Sequence, residues 1–346
     1  MSKTPITSLG EFGLIDHLTR NITHYHKETL KGVGDDTAVA AFSKEDQVLL
    51  TKDLLVEGVH FNTMYTPLKH LGYKSIAVNL SDIYAMNGTP TQVIIGVAIS
   101  SRYTVEAMEE LYAGMKLACE KYKVDMVGGD TTTSVSGLTI SVTAMGKVSQ
   151  NNITYRSGAN TDDLICVSGN LGGAYAGLLV LEREKEVYKA NPGVQPDLSK
   201  YNYVLERQLK PEPRKDITEI FSRLQITPTA MIDVSDGLAS EILHICKSSK
   251  KGAAIYEEKI PVDMQTAGVG HEFEIDPTTL ALNGGEDYEL LFTISQKDYE
   301  KIKDLEDISI IGHITNNPQQ ADLITTSENV VPLKAQGWDA FKKEEE

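Results

Sequence analysis

Residues 93 to 99 read Val93-Ile94-Ile95-Gly96-Val97-Ala98-Ile99, an unbroken apolar run rich in β-branched side chains. Such a run predicts a strand covered on both faces rather than one with a wet side. Its neighbours set the fold class. Helical periodicity over 69–86 precedes it and over 104–122 follows it, with Thr104 ahead of Glu106 and Glu109 as a capped start. Val48-Leu-Leu-Thr51 and Ile140-Ser-Val-Thr-Ala-Met145 supply further strands. Strand and helix therefore alternate to about residue 150, the pattern of an α/β domain.

The hydrophilic stretch Ser149-Gln-Asn-Asn-Ile-Thr-Tyr-Arg-Ser-Gly-Ala-Asn-Thr-Asp-Asp163 breaks this alternation and predicts a boundary. Beyond it, the strand Leu164-Ile-Cys-Val-Ser168 leads through Gly169-Asn-Leu-Gly172-Gly173 into a helix. Thr229-Ala-Met-Ile-Asp233 and Tyr288-Glu-Leu-Leu-Phe-Thr-Ile294 read as strands, 238–248 as a helix and Asn191-Pro-Gly-Val-Gln-Pro196 as an exposed loop. The chain has 346 residues; at about 100–200 residues per domain, two domains are expected, 1–150 and 151–346.

Hydrophobic residues make up 41% and charged residues 24%, which excludes wholesale disorder and fibrous repeats. Acidic residues outnumber basic ones 49 to 33, a net charge of −16 that argues against a nucleic-acid partner. The excess serves solubility alone, or some of its carboxylates hold metal. Cys119, Cys166 and Cys246 are far apart and unpaired by spacing, so neither a disulfide framework nor a structural zinc site is indicated. With no apolar leader at the N-terminus and no stretch near the ~18 apolar residues of a membrane span, a cytoplasmic protein is expected.

Acidic residues recur beside glycine or serine at the ends of apolar runs: Gly34-Asp35-Asp36, Thr51-Lys52-Asp53, Asn79-Leu-Ser81-Asp82, Gly128-Gly129-Asp130, Asp233-Val-Ser235-Asp236-Gly237 and Gly284-Gly285-Glu286-Asp287. In an α/β sheet these positions face the crevice outside the strand ends. Taken singly, each is a turn or a helix cap. Together they set like charges side by side, which is costly unless cations sit between them. Oxygen ligands without histidine or cysteine favour Mg²⁺ over zinc. Asn79 and Asp82 lie one helical turn apart and share a face. The P-loop, the protein-kinase signatures and the Gly-x-Ser-x-Gly elbow are all missing from the sequence.

These strings, taken with Gly10-Glu-Phe-Gly-Leu-Ile15, Gly58-Val-His60-Phe61, Ala85-Met86, Arg156-Ser157-Gly158-Ala159 and Tyr288-Glu289-Leu290, resemble the thiamine-monophosphate kinase family in order and over nearly the whole chain. The acidic turns are shared with the wider aminoimidazole-ribonucleotide-synthetase-like superfamily. The His60 segment, the Arg156 turn and Gly-Gly-Glu-Asp-Tyr-Glu-Leu resemble the thiamine branch. The resemblance implies a two-domain α/β (α+β) fold of that superfamily, with an N-terminal mixed sheet and helices that bind metal and ATP and help form a homodimer, and a C-terminal α/β domain completing the cleft. It also implies ATP as co-substrate, several Mg²⁺ ions, thiamine monophosphate as acceptor, and the last step of thiamine diphosphate synthesis.

Carried over residue by residue, Asp35, Thr51, Asp53, Asp82, Asp130, Asp233 and Asp236 are implied metal ligands. Gly129, Asp130, Arg156, Ser235 and Tyr112 are implied at the nucleotide, and His60, Glu286 and Trp338 at the acceptor. Lys52 stands where the family commonly has a small hydroxyl residue, so it either replaces a cation or alters the metal count. Trp338 either stacks on the cationic thiazolium or packs beside Phe341. An ATP-dependent synthetase of the purine pathway and a non-catalytic nucleotide-binding module are the competing classes; the first lacks the thiamine-branch strings and the second would have lost acidic ligands. The acceptor phosphate has its second pKa near ~6, so no general base is required. The difficulty is bringing two polyanions within about 3–3.5 Å in line.

Overall fold

The computed structural model of the protein describes residues 29–31, 34–41, 45–193 and 195–337 and arranges their strands in two sheets. The first contains β1 (Thr29–Lys31), β2 (Ala38–Ala41), β3 (Asp46–Val56), β4 (Thr89–Ile99), β5 (Asp125–Thr133) and β6 (Leu138–Ser149), ordered β1-β2-β3-β6-β4-β5. β4 and β5 run parallel and the other neighbours antiparallel. The second contains β7 (Leu164–Ser168), β8 (Ala230–Asp233), β9 (Gly252–Tyr256), β10 (Leu290–Ile294), β11 (Ile308–Thr315), β12 (Ala321–Ile324) and β13 (Val330–Pro332), ordered β13-β12-β9-β11-β7-β10-β8. The fold is thus α/β, as the alternating pattern predicts, with mixed sheets in both halves, as the family resemblance implies for the first.

Helices α1 (Leu68–Ala85) and α2 (Val105–Tyr122) pack on one face of the first sheet. The Thr104 hydroxyl caps α2, accepting from the Ala107 amide at 3.2 Å. The two helices approach closely because Gly72 and Gly114 oppose each other's backbones. A Cβ at Gly72 would lie 1.9 Å from the Leu111 carbonyl oxygen, and one at Gly114 would lie 1.8 Å from that of Lys69. Leu71, Ile76, Leu80, Leu111 and Met115 then meet Val93, Ile95, Val97, Ile140 and Val142 in a single core.

The expectation that 93–99 is covered on both faces is not met. Val93, Ile95 and Val97 are at most 2% exposed, but Ile94 is 44% exposed. Among the described residues helices cover only one face, so strand alternation sends every second side chain outward. The register places Lys52, Leu54, Ile94 and Gly96 beside Ser141 and Thr143 on that outer face. Burial on both faces belongs instead to the second sheet. There Ile165, Val167 and Leu291 enter one cluster, while Cys166, Leu290 and Phe292 enter another. The Phe221 ring meets Phe292 edge-on at 4.9 Å.

After α3 (Gly173–Ala190), α4 (Asn202–Leu209) and α5 (Lys215–Leu224) frame the turn that carries Glu212. Its Oε2 accepts from Tyr73 of α1 at 2.6 Å and from Lys121 of α2 at 2.7 Å, and also from Tyr122. Lys210 lies 3.0 Å from Oε1. Partial burial raises the Glu212 pKa, but the hydrogen bonds from Lys121, Tyr122, Tyr73 and Lys210 outweigh it and hold the carboxyl down at about 2. A folded value below the unfolded one gives stability that is present above the ordinary glutamate range and lost as pH falls through it. Glu212→Gln should therefore lower the melting temperature at neutral pH by about 2–5 °C. Calorimetry as a function of pH should show the difference closing in acid; an unchanged melting temperature at neutral pH would remove Glu212 from the ties between the two halves.

Candidate active site

The acidic strings converge where β3, α1 and the C-terminal end of β8 meet. Along β3, Thr51 and Asp53 face α1 while Lys52 faces away. The Thr51 hydroxyl donates to Asp82 Oδ2 at 2.5 Å, and the Asp53 amide donates to Asn79 Oδ1 at 3.1 Å. One residue before Asp82, the Ser81 hydroxyl donates to Asp233 Oδ2 at 2.6 Å. Asp36, Asp82 and Asp233 each bring a carboxylate oxygen within 4.8 Å of the others.

The sequence reading chose Asp35, yet it is Asp36 that joins the cluster. Asp35 turns back, its Oδ1 accepting from the amides of Asp36 and Arg156, both at 3.2 Å, with Lys31 3.7 Å from Oδ2. Arg156 grips Asp36 in fork geometry, Nε to Oδ2 and an Nη to Oδ1 at 2.9 Å each. Lys52 also needs correcting: its ammonium lies 2.5 Å from Ser141 Oγ on the sheet's outer face, where strand alternation keeps it away from the carboxylates. It does not stand in for a cation at this cluster.

Burial, then the neighbouring Asp36 charge, pushes Asp35 up to about 6 and Asp233 up to about 8. Burial alone raises Asp53 to about 6. Asp82 is driven well above the ordinary carboxylate range by burial and then by Asp53, Asp233 and Asp36. Asp36, Asp53, Asp82 and Asp233, all hard oxygen donors with Arg156 bonded to Asp36 alone, form a set that fits a divalent cation such as Mg²⁺.

Ser235 and Asp236 sit in the turn before α6 (Leu238–Ser249). Glu241, which the sequence reading passed over, organises that turn. It is 1% exposed, and its Oε1 accepts from the amides of Ser235 at 3.1 Å and Asp236 at 2.8 Å. A carboxylate in the first helical turn after an Asp-Val-Ser-Asp-Gly string was the available signal.

The Gly284-Gly285-Glu286-Asp287-Tyr288-Glu289 string divides its duties. The amides of Glu286 and Tyr288 donate to the carbonyls of Ser235 at 2.7 Å and Val234 at 2.9 Å, which stitches it to the acidic turn. Asp287 accepts from the Gly172 and Ala174 amides at the start of α3. Glu289 is held by Arg207, Arg214 and the Ser168 hydroxyl at 2.9, 2.5 and 2.6 Å. Glu286 alone of the three acids keeps appreciable side-chain exposure, and it is paired with Lys74 and Gln208, residues no motif signalled.

The remaining predicted residues lie further out. Gly129 and Asp130 stand exposed on edge strand β5, opposite Ile95 and Gly96 in register. Tyr112 is half-buried against the first core. His60 is exposed; its Nδ1 accepts from the Val56 amide at 3.0 Å, so the neutral ring carries its proton on Nε2. Glu57 braces the same loop through Thr63, Tyr103 and the Leu138 amide. Trp338 lies outside the described residues, as do Gly32, Val33 and Gly10–Ile15.

Comparison with known proteins covers the whole chain. The family model of AIR synthase related protein, N-terminal domain, matches residues 34–148. The thiamine-monophosphate kinase of Buchnera aphidicola subsp. Schizaphis graminum (strain Sg) is 36% identical over 338 residues, 96% of this chain and 99% of that one. That of Bacillus subtilis (strain 168) is 31% identical over 339 residues, 96% and 100% of the two chains. The solved structure "AaThiL complexed with AMPPCP and TMP" superposes with a TM-score of 0.83 at 32% identity, covering 98% of this chain and 100% of that one.

The raised carboxyls fix a pH dependence. Because the folded protein holds protons on them that the unfolded chain releases, their contribution is full below the ordinary aspartate pKa and is lost as pH rises toward about 8. Asp233→Asn should raise the melting temperature in metal-free buffer at the alkaline end by about 2–4 °C, with the gain shrinking toward acid. A gain that grows on acidification would contradict the raised value.

Proposed function

The chain belongs to the thiamine-monophosphate kinase family and uses ATP to phosphorylate thiamine monophosphate; we propose that the γ-phosphoryl group passes to the acceptor phosphate directly and in line, with Mg²⁺ bound at the acidic cluster. The observation that carries this reading is the meeting of Asp36, Asp82 and Asp233 from separate parts of the chain. Asp36, Asp82, Asp233 and Asp53 would hold the metal, with Thr51, Asp130 and Asp236 completing the set. Mg²⁺ supplies the positive charge that the two phosphate groups need at short range.

The protein's own part is orientation. Thr51 and Ser81 fix the carboxylates of Asp82 and Asp233 through hydroxyl donors. Arg156, beside Asp36, brings a permanent positive charge to the nucleotide side together with Ser235, Gly129, Asp130 and Tyr112. His60 and Glu286 line the acceptor side. No group is needed to remove a proton, since the attacking phosphate oxygen is largely ionised above its second pKa of ~6. Asp82→Asn and Asp53→Asn should each lower turnover by orders of magnitude while the fold survives, and a chirally labelled γ-phosphate should emerge inverted. Unchanged turnover would sink the metal assignment, and retained configuration would demand a phosphoenzyme.

We assign residues 1–150 to metal and ATP binding and to pairing with a second copy, and 151–346 to completing the cleft. The outer face of the first sheet supports the pairing, with Leu54 and Ile94 53% and 44% exposed and no helix among the described residues over them. A cytoplasmic setting is part of the same reading, supported by Cys119, Cys166 and Cys246 as buried free thiols; no helix among the described residues is long and apolar enough to cross a membrane. Sedimentation at micromolar concentration should give a dimer, and Ile94→Asp should shift it toward monomer. A monomeric parent protein would remove the pairing.

A further inference from the structure

Glu286 does not meet the cleft as a lone anion. Its side chain keeps 30% of its exposure, so one edge is open, while Lys74 Nζ lies 2.8 Å from Oε1 and Gln208 Nε2 donates to Oε2 at 2.7 Å. Lys74 is 3% exposed, and its ammonium also donates to the Gln208 carbonyl at 2.9 Å. An ammonium so enclosed requires a compensating charge, and the Glu286 carboxylate provides it. The backbone fixes the carboxylate further, since Glu286 has φ of 65° and its amide donates to the Ser235 carbonyl at 2.7 Å.

Helix α1 links this pair to the acidic cluster. Lys74 and Ser81 are seven residues apart, two turns on one face and about 10 Å along the axis. Ser81 touches Asp233 at one end while Lys74 holds Glu286 at the other. An acceptor with its phosphate at the cluster would lay its far end near Glu286.

We propose that Lys74 is a specificity-determining residue for the acceptor. By compensating Glu286, it makes that carboxylate an oriented hydrogen-bond acceptor for the neutral, amine-bearing ring of thiamine monophosphate instead of an attractor for the cationic ring. This rests on the reading of Glu286 as part of the acceptor pocket. A Glu286 carboxylate without Lys74 would act instead as countercharge to the thiazolium.

The test compares kcat/KM for thiamine monophosphate with that for the isosteric phosphate in which carbon replaces the charged thiazolium nitrogen. Lys74→Met frees the Glu286 charge and should raise preference for the cationic acceptor about tenfold. Glu286→Gln leaves the ammonium uncompensated and should lower it by a similar factor. The double variant Lys74→Met/Glu286→Gln removes both charges, so it folds without an unpaired buried ion and should return within about twofold of the parent. KM for ATP should stay within about twofold throughout. A purely structural Lys74 would change the melting temperature without this reciprocal pattern. If Glu286→Gln lowers the preference while Lys74→Met, or the double variant should Lys74→Met not fold, departs from the expected value, the role of Lys74 is overturned and the pocket stands. If neither the preference nor the acceptor KM moves in any variant, the pocket reading falls and this inference with it.

Discussion

Helix α1 lies between the two sheets and is buried from Leu71 to Ala85, save for the partly exposed Asp82. A helix enclosed on all sides should be apolar all round. This one carries Lys74, Ser75, Asn79 and Ser81, each at most 3% exposed. Every one of these polar groups has a partner: Glu286 and Gln208 for Lys74, the Gly72 carbonyl for Ser75, the Asp53 amide for Asn79, and Asp233 for Ser81. Unpaired, each would cost about 1–3 kcal/mol or more, so the partners are held in place by the same contacts that let the helix stay buried. The site geometry follows from that requirement.

The acidic strings serve two purposes that look alike in one dimension. Asp287 and Glu289 are consumed by α3 and by a pair of arginines, whereas Glu286, next to the glycines, keeps 30% of its side-chain exposure. Left-handed backbone at Glu286 and Tyr288, φ of 65° and 52°, turns successive side chains in directions that neither strand nor helix periodicity describes. The string therefore clamps the second sheet through two of its acids and leaves the third, Glu286, partly exposed.

Electrostatically the cluster is held ready for positive charge. Asp53, Asp82 and Asp233 are raised by burial, and Arg156 is bonded to Asp36. The excess negative charge that makes the metal-free state unfavourable is what a divalent cation would relieve. Strength of binding and cost to folding are here two expressions of one arrangement.

Much of this was legible in the sequence. Apolar runs separated by helical periodicity are local signals, so the strands, the helices, the Thr104 cap and the α/β class could be read from spacing alone. So could the acidic strings, because carboxylates crowded beside glycine are unusual chemistry wherever they fold. Which carboxylate enters the cluster could not be read. Asp35 and Asp36 are adjacent and alike, and only the position of Arg156, 120 residues away, selects one of them. Lys52 needed the sheet to show which face it occupies, and the run at 93–99 needed it to show that one face stays open. The Lys74–Glu286 pair left no trace in either segment, since an ion pair across more than 200 residues has no period. Local sequence determined what could form, and tertiary packing decided which neighbours met, because burial and charge compensation are properties of surroundings that the chain acquires only on folding.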